Sequence, residues 1–187
     1  MLDFSAEEID ALAMRLMLLR HAKSEKAAPG IGDRDRALNP RGRKDAAKLG
    51  AYLAHHALVP DRVLVSSARR ARETWERVVA AFSMPPAVAY EDRLYDAGPE
   101  RILDLVKEVG RGPGALMVIG HNPGLHEVAR ILIAAGDVEA RERLSEGLPT
   151  AGLAVIDFAG EDWRKLHPDG GRLERFVTPR SLRAATD

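Results

Sequence analysis

Residues 16–21 read Leu-Met-Leu-Leu-Arg-His, and residues 116–123 read Leu-Met-Val-Ile-Gly-His-Asn-Pro. Each stretch is an apolar run of strand length that ends in a histidine, His21 or His121. Continuous apolar runs of this length are typical of strands that are buried on both faces, as in a parallel sheet. Because ligands bind at the carboxyl ends of such strands, the two imidazoles are candidates for one shared site.

Helix signals separate the apolar runs along the chain. Strands are predicted at residues 15–20, 62–66, 87–90, 116–119, 153–158 and 173–177. Helices are predicted at about 40–56 and 68–82, from residue 99, and at about 123–135 and 137–146. The last two strands form a hairpin, because the segment between them is too short for a crossover helix. This alternation predicts an α/β three-layer sandwich with a mostly parallel central sheet, helices on both faces and one or two late antiparallel strands.

The chain is expected to form one domain over residues 1–187. Ser5 and Glu8 fit a capping box that opens a short helix through about residue 13. Residues 1–14 are therefore predicted to be an N-terminal appendage to a core at residues 15–178. Asn39 and Asn122, each followed by proline, are expected to cap the helices that begin there.

Composition excludes several classes of protein. The 187 residues contain 28 basic and 28 acidic side chains, so a general nucleic-acid binder, which usually carries a basic excess, is not expected. The absence of cysteine excludes disulfides and thiol catalysis. No apolar run reaches the length of a membrane span, and the acidic N-terminus lacks a signal-peptide pattern. We expect a cytoplasmic protein without membrane contact, with a monomer as the default.

The strand ends carry groups that suit a phosphoryl ligand. Arg20 precedes His21, and a cationic turn at residues 69–72 follows the strand at 62–66. A guanidinium binds phosphate oxygens with two parallel hydrogen bonds. An imidazole attacks phosphorus when one ring nitrogen is free and an acceptor holds the other N–H, for which we expect a backbone carbonyl after His21. By contrast, Asp33-Arg34-Asp35-Arg36 is predicted to be an exposed loop with local ion pairs.

Four motifs, at residues 18–24, 35–42, 66–75 and 120–124, together resemble those of the histidine phosphatase superfamily, which has the phosphoglycerate-mutase-like fold. The Arg-His-Ala at residues 20–22 is similar to the variant found in its small SixA-like phosphohistidine phosphatases.

The resemblance implies roles for four residues. His21 would be the nucleophile, Arg20 and Arg70 would clamp the phosphoryl oxygens, and His121 would donate a further hydrogen bond to them. Arg70 is favoured over Arg69 because the family arginine stands four residues after the strand-end serine. Neighbours in a first helical turn also point about 100° apart, so only one faces the site. The predicted substrate-binding residues are Ser24, Arg36 and Asn122.

The sequence leaves several candidates for the residue that acts as general acid. Some larger relatives have Asp or Glu where this chain has Asn122, and the remaining candidates are Glu25, Glu91, Asp92 and Asp96. General acid catalysis typically contributes a factor of ~10² to 10⁴, so its absence would favour activated donors such as phosphohistidine.

The resemblance implies hydrolysis of phosphohistidine on a protein through a covalent phosphohistidine on the enzyme. The alternatives are a broad-specificity phosphatase for small phosphomonoesters and a non-catalytic phosphate-binding adaptor. No cofactor is expected, and no metal, since His55, His56, His126 and His167 lack a ligand spacing.

Overall fold

The structure is a computed structural model that describes residues 12–184. Its strands are β1 Leu12–Arg20, β2 Arg62–Ser66, β3 Ala87–Glu91, β4 Ala115–Gly120, β5 Ile133–Gly136, β6 Leu153–Ala159 and β7 Gly171–Val177. Its helices are α1 Pro40–His55, α2 Arg69–Val79, α3 Pro99–Glu108, α4 Gly124–Leu132, α5 Val138–Glu146 and α6 Pro179–Ala184. Three 3₁₀ turns lie at Asp33–Asp35, Asp92–Leu94 and Trp163–Lys165.

All seven strands join one sheet in the order β3-β2-β4-β1-β6-β7-β5. β6 runs antiparallel to its neighbours β1 and β7, whereas the other paired strands are parallel. The predicted α/β class is therefore confirmed, with one late antiparallel strand and the expected closing hairpin.

The central strand β1 shows why its sequence is apolar throughout. Leu16 and Leu18 face one hydrophobic core, which α3, α4 and α5 cover. Met17 and Leu19 face a second core, which α1 and α2 cover. Because successive strand residues point to opposite faces, a sheet between two helical layers needs apolar side chains at every position.

The predicted helix over 123–135, with Asn122 as its cap, begins one residue too early and ends three residues too late. Asn122 makes no capping bond, and α4 begins at Gly124. α4 ends at Leu132, and the next four residues form β5, which pairs in parallel with β7 at the sheet edge. The apolar pattern suits a short strand as well as a helix, and long-range pairing with β7 decides between them. The N-cap prediction for Asn39 is confirmed, since its side chain accepts from the Gly42 amide.

At the N-terminus, β1 begins at Leu12, three residues before the predicted start. Residues 12–14 therefore belong to the sheet. The sequence pattern had instead predicted a helix through about residue 13 and an N-terminal appendage that ends at residue 14. The rest of that helix lies outside the described residues. Between residues 12 and 184, no helix has the length and apolar character of a membrane span.

Candidate active site

Adjacent strands place the two histidines side by side. β1 and β4 are parallel neighbours, and Arg20 pairs with Gly120 at the last position of their register. His21 and His121 are thus the next residues of the two strands, at the same edge of the sheet. Their ring centroids lie 5.1 Å apart, and both residues are buried. With Arg20 and Arg70 they form what we call the histidine–arginine cluster.

The His21 ring is held by the residue that follows it. Nδ1 lies 2.8 Å from the carbonyl oxygen of Ala22, which has no hydrogen to donate, so Nδ1 carries the proton. Nε2 keeps its lone pair and accepts from Nε of Arg70 at 3.2 Å. This is the tautomer that a nitrogen nucleophile requires, and Ala22 supplies the backbone acceptor expected from the sequence.

The first turn of α2 separates Arg70 from Arg69. Arg70 is buried, with its Nη2 3.4 Å from Nδ1 of His121. Arg69 points to solvent and pairs with Glu73 at 2.7 Å. The angle between successive helical residues thus directs Arg70, and not Arg69, to the histidines.

Arg20 brings a second guanidinium, anchored by the loop before β6. Its Nη1 donates to the carbonyl oxygen of Leu148 at 3.0 Å. Its Nε is buried and has no hydrogen-bond partner among residues 12–184. Burial, with the positive charge of Arg70, lowers the pKa of Arg20. Two neighbouring guanidiniums with an unused N–H donor favour binding of an anion.

Ser66, at the end of β2, orients His121 and was missed as a functional residue. Its Oγ lies 2.8 Å from Nε2 of His121 and accepts from the amide of Ala68 at 3.3 Å. The sequence argument used this serine only to select Arg70. The register of β2 beside β4, which a sequence cannot supply, is what brings the two side chains together.

Thr74 on α2 was also missed. Its hydroxyl accepts from the amide of Ala22 at 3.0 Å and donates to the carbonyl of Arg70 at 2.6 Å. One hydroxyl thereby joins the chain beside His21 to the helix that carries Arg70. The positions of the nucleophile candidate and the guanidinium are therefore coupled.

The loop predicted to be merely exposed reaches the cluster through Asp33. Its carbonyl oxygen accepts from Nη1 of Arg70 at 2.6 Å, and its Oδ2 accepts from Nη2 at 3.0 Å. The Tyr95 hydroxyl donates to the same Oδ2 at 2.9 Å, and the predicted local pair with Arg36 is also present. Desolvation opposes ionisation, but hydrogen bonds from Tyr95, Arg36 and Arg70 outweigh it and lower the pKa of Asp33 to about 2.

The three predicted substrate-binding residues are linked to the cluster through shared hydrogen-bond partners. Arg36 donates to Oγ of Ser24 at 3.3 Å and contacts Asp33, so it organises the loop. Asn122 donates to the Leu148 carbonyl that also anchors Arg20, and its Oδ1 is buried without a partner among the described residues. Substrate binding by these residues stays a prediction.

Among the described residues, no ion pair links any of the four candidate acids to the cluster. Glu91 pairs with Arg93, and Asp92 pairs with Arg34. Within residues 12–184, the carboxylate that pairs with Arg70 is instead Asp33. Over the same residues, no three His, Asp or Glu side chains are grouped to hold a metal ion.

Both imidazoles are neutral at physiological pH. Burial is the main cause that lowers the pKa of His21 to about 3 and that of His121 to about 4, and the charge of Arg70 contributes to both. A neutral ring retains the lone pair that nucleophilic attack needs.

We therefore expect neither ring to titrate in the folded protein between about pH 7 and pH 5, whereas unfolded histidines titrate near ~6.5. The measurement is the pH dependence of the ring ¹⁵N shifts, with the urea-unfolded protein as the control. Because the unfolded chain binds protons in this window and the two folded rings do not, their contribution to the free energy of unfolding falls as the pH drops from about 7 towards 4. A midpoint near 6.5 for either folded ring would contradict the expectation.

Comparison with known proteins agrees with the motifs. The model of the histidine phosphatase superfamily (branch 1) matches residues 16–99, which include His21 and Arg70. An uncharacterized protein of Mycobacterium tuberculosis is 38% identical over 165 residues, covering 87% of this chain and 100% of the relative.

Two solved structures designated phosphohistidine phosphatase SixA are similar over nearly their whole length. The protein from Agrobacterium tumefaciens is 33% identical with a TM-score of 0.76, and the match covers 89% of this chain and 98% of that one. The protein from Nakamurella is 30% identical with a TM-score of 0.74, covering 89% and 96%. These matches extend past the family model to the strand that carries His121. This protein therefore belongs to the histidine phosphatase superfamily and is a phosphatase that acts on phosphorylated substrates.

Proposed function

We propose that this phosphatase hydrolyses phosphohistidine on a protein substrate and that His21 carries the phosphoryl group between the two half-reactions. The observation that carries the proposal is the tautomer of His21. Its Nδ1 proton is held by Ala22, and its Nε2 lone pair faces Arg70 inside a buried, cationic cluster. A residue that only binds phosphate would have no need of a buried, unprotonated ring nitrogen.

In the first half-reaction, Nε2 of His21 forms a bond to phosphorus while the bond between phosphorus and the substrate nitrogen breaks. The electron pair of the broken bond stays on the substrate imidazole, which leaves neutral if its other nitrogen is protonated. The phosphorylated His21 ring keeps its proton on Nδ1, where Ala22 accepts it. That proton makes the ring of His21 a good leaving group in turn.

In the second half-reaction, a water oxygen bonds to phosphorus and the phosphorus–Nε2 bond breaks. His21 recovers its lone pair, and the water protons pass to inorganic phosphate and solvent. Arg20 and Arg70 compensate the charge on the phosphoryl oxygens in both transition states. Their positive charge is the reason that the proposal requires no metal ion.

His121 donates to the same oxygens with the help of Ser66. In the free enzyme, Nδ1 of His121 accepts from Nη2 of Arg70, which can only donate, so the ring proton lies on Nε2 and is donated to Ser66. When Arg70 turns to a phosphoryl oxygen, the proton can lie on Nδ1 and be donated to the phosphoryl group, while the Ser66 hydroxyl donates to Nε2 and holds that tautomer.

The choice of substrate follows from the leaving group. At its pKa of about 2, Asp33 is ionised near neutral pH and has no proton to give to an alkoxide. A protonated imidazole leaves without an enzyme acid, so phosphohistidine suits the cluster better than an alkyl phosphate. The similar proteins designated phosphohistidine phosphatases support this choice.

A substrate panel tests the proposal. We expect kcat/KM for a phosphohistidine peptide to exceed that for a sugar phosphate by about 10²-fold or more, because only the sugar ester needs general acid help. Phosphate release is measured with and without EDTA, which should have no effect, and His21→Ala corrects for spontaneous hydrolysis. Higher kcat/KM for the sugar phosphate would replace the proposal with a broad-specificity phosphomonoester phosphatase.

A further inference from the structure

The ion pair between Asp33 and Arg70 joins the buried cluster to the surface. The Asp33 side chain is 53% exposed, whereas that of Arg70 is 7% exposed. A phosphorylated side chain on another protein has to enter from the exposed side, and its leaving group has to remain on that side. Asp33 is thus a carboxylate at the mouth of the site, in contact with the guanidinium proposed to bind the phosphoryl group.

Both oxygens of this carboxylate accept hydrogen bonds in the free enzyme. Oδ1 accepts from Nε of Arg36 at 2.9 Å, and Nη2 of the same guanidinium lies 2.7 Å from Oδ1 as an ion pair. Oδ2 accepts from the Tyr95 hydroxyl at 2.9 Å and from Nη2 of Arg70 at 3.0 Å. The three hydrogen bonds and the ion pair with Arg36 thus surround a carboxylate that has about four lone-pair positions. If Nη2 of Arg70 turns to a phosphoryl oxygen, one position on Oδ2 is released while Arg36 and Tyr95 still hold the group.

We propose that Asp33 is a specificity-determining residue that selects substrates in which the phosphoryl group is bonded to the nitrogen of a protonated imidazole ring. As Arg70 exchanges the carboxylate for the phosphoryl group, the N–H of the protonated substrate imidazole takes the vacated position on Oδ2. The ion pair between Asp33 and Arg70 is thus replaced by two ion pairs, one between Arg70 and the phosphoryl group and one between Asp33 and the substrate imidazolium. This inference rests on the proposed phosphohistidine activity and adds the means of selection.

A phosphomonoester lacks this compensation. Its bridging oxygen gains negative charge as the P–O bond breaks, beside a carboxylate that has just lost Arg70 as a partner. With phosphohistidine, the substrate nitrogen receives the electron pair of the P–N bond. The second ring nitrogen keeps its proton and donates a hydrogen bond to Asp33. The same carboxylate therefore favours the imidazole and opposes the alkoxide or phenolate.

A simpler role for Asp33 is to orient Arg70. The backbone carbonyl of residue 33 also holds Arg70, at 2.6 Å from Nη1, and any residue at this position supplies that bond. In Asp33→Asn, the amide oxygen in the place of Oδ2 still accepts from Nη2 of Arg70, whereas the negative charge and the bond of Oδ1 with Arg36 are lost. The substitution therefore separates charge from orientation.

The test compares wild type, Asp33→Asn and the control Asp35→Asn on a phosphohistidine peptide and on p-nitrophenyl phosphate. Asp35 is exposed and lies in the same 3₁₀ turn. We expect Asp33→Asn to lower kcat/KM by about 10- to 100-fold for the peptide, as loss of a charge-assisted hydrogen bond does, and to raise it for the aryl phosphate. Asp35→Asn should leave both values within about twofold, as surface substitutions do.

Two outcomes would overturn the inference. An equal loss on both substrates means that Asp33 only orients Arg70, and kcat/KM values that stay at the wild-type level on both substrates mean that its charge selects nothing. Both can occur in an enzyme that still prefers phosphohistidine, which leaves the proposed function intact. A wild-type enzyme that prefers the sugar phosphate of the substrate panel instead contradicts the proposed function, whatever Asp33→Asn does.

Discussion

The substitution His21→Ala is expected to lower kcat for a phosphohistidine peptide by about 10⁴-fold or more, since it removes the atom that accepts the phosphoryl group. The arginines and His121 remain, so the variant should still bind phosphate. The His21 side chain is buried but belongs to none of the hydrophobic core clusters, so thermal unfolding of the variant should remain cooperative. The loss should therefore lie in turnover and not in folding.

Trapping of the intermediate identifies the nucleophile directly. Enzyme mixed with a peptide carrying ³²P-phosphohistidine is quenched in alkaline denaturant, because P–N bonds hydrolyse in acid. Label should appear on wild type and be absent from His21→Ala. His121→Ala, the matched control, should still acquire label, although more slowly, since His121 donates and does not attack. Label on His21→Ala, or turnover equal to wild type, would disprove covalent catalysis by His21.

The second large effect concerns two neighbouring arginines. Arg70→Ala is expected to lower kcat/KM by about 10³-fold, because its guanidinium contacts both histidines and is proposed to neutralise the phosphoryl oxygens. Arg69→Ala should stay within about threefold of wild type, since Arg69 is exposed and an exposed pair such as that with Glu73 contributes little. Steady-state phosphate release on the same peptide measures both variants.

Arg70→Lys refines this test. Lysine retains the charge but lacks the planar fork, so we expect an intermediate loss of about 10- to 10²-fold. Melting temperatures of the three variants serve as the control for folding. Equal losses for the Arg69 and Arg70 alanine variants would show that the cluster does not depend on the guanidinium that the structure places within it.

Much of the site could be predicted because it lies at the ends of regular elements. His21 and His121 each follow an apolar run, and parallel pairing brings the ends of such strands to one edge. Helical rotation means that only one of Arg69 and Arg70 faces the site, and the resemblance to the histidine phosphatase superfamily selected Arg70. The prediction for the two histidines needs only local periodicity and the general geometry of an α/β sheet.

Other features depend on contacts between distant segments. The length of α4 was overestimated because residues 133–135 continue its apolar pattern, and only pairing with β7 makes them a strand. Asn122 has the signature of a helix cap, yet its side chain bonds to Leu148 in a loop 26 residues away. Local propensity is weak at such positions, so the tertiary partner decides the conformation.

From the sequence alone, hydrophobic periodicity predicted the class of fold and the two histidines at one edge of the sheet. Arg20 was predicted from its position before His21, and the resemblance to the histidine phosphatase superfamily selected Arg70. Only the tertiary structure decided that Ser66 orients His121, that Thr74 links β1 to α2 and that Asp33 reaches Arg70. Strand register and the path of a long loop set these three contacts. Both arise from the packing of the whole chain, which no local pattern of residues records.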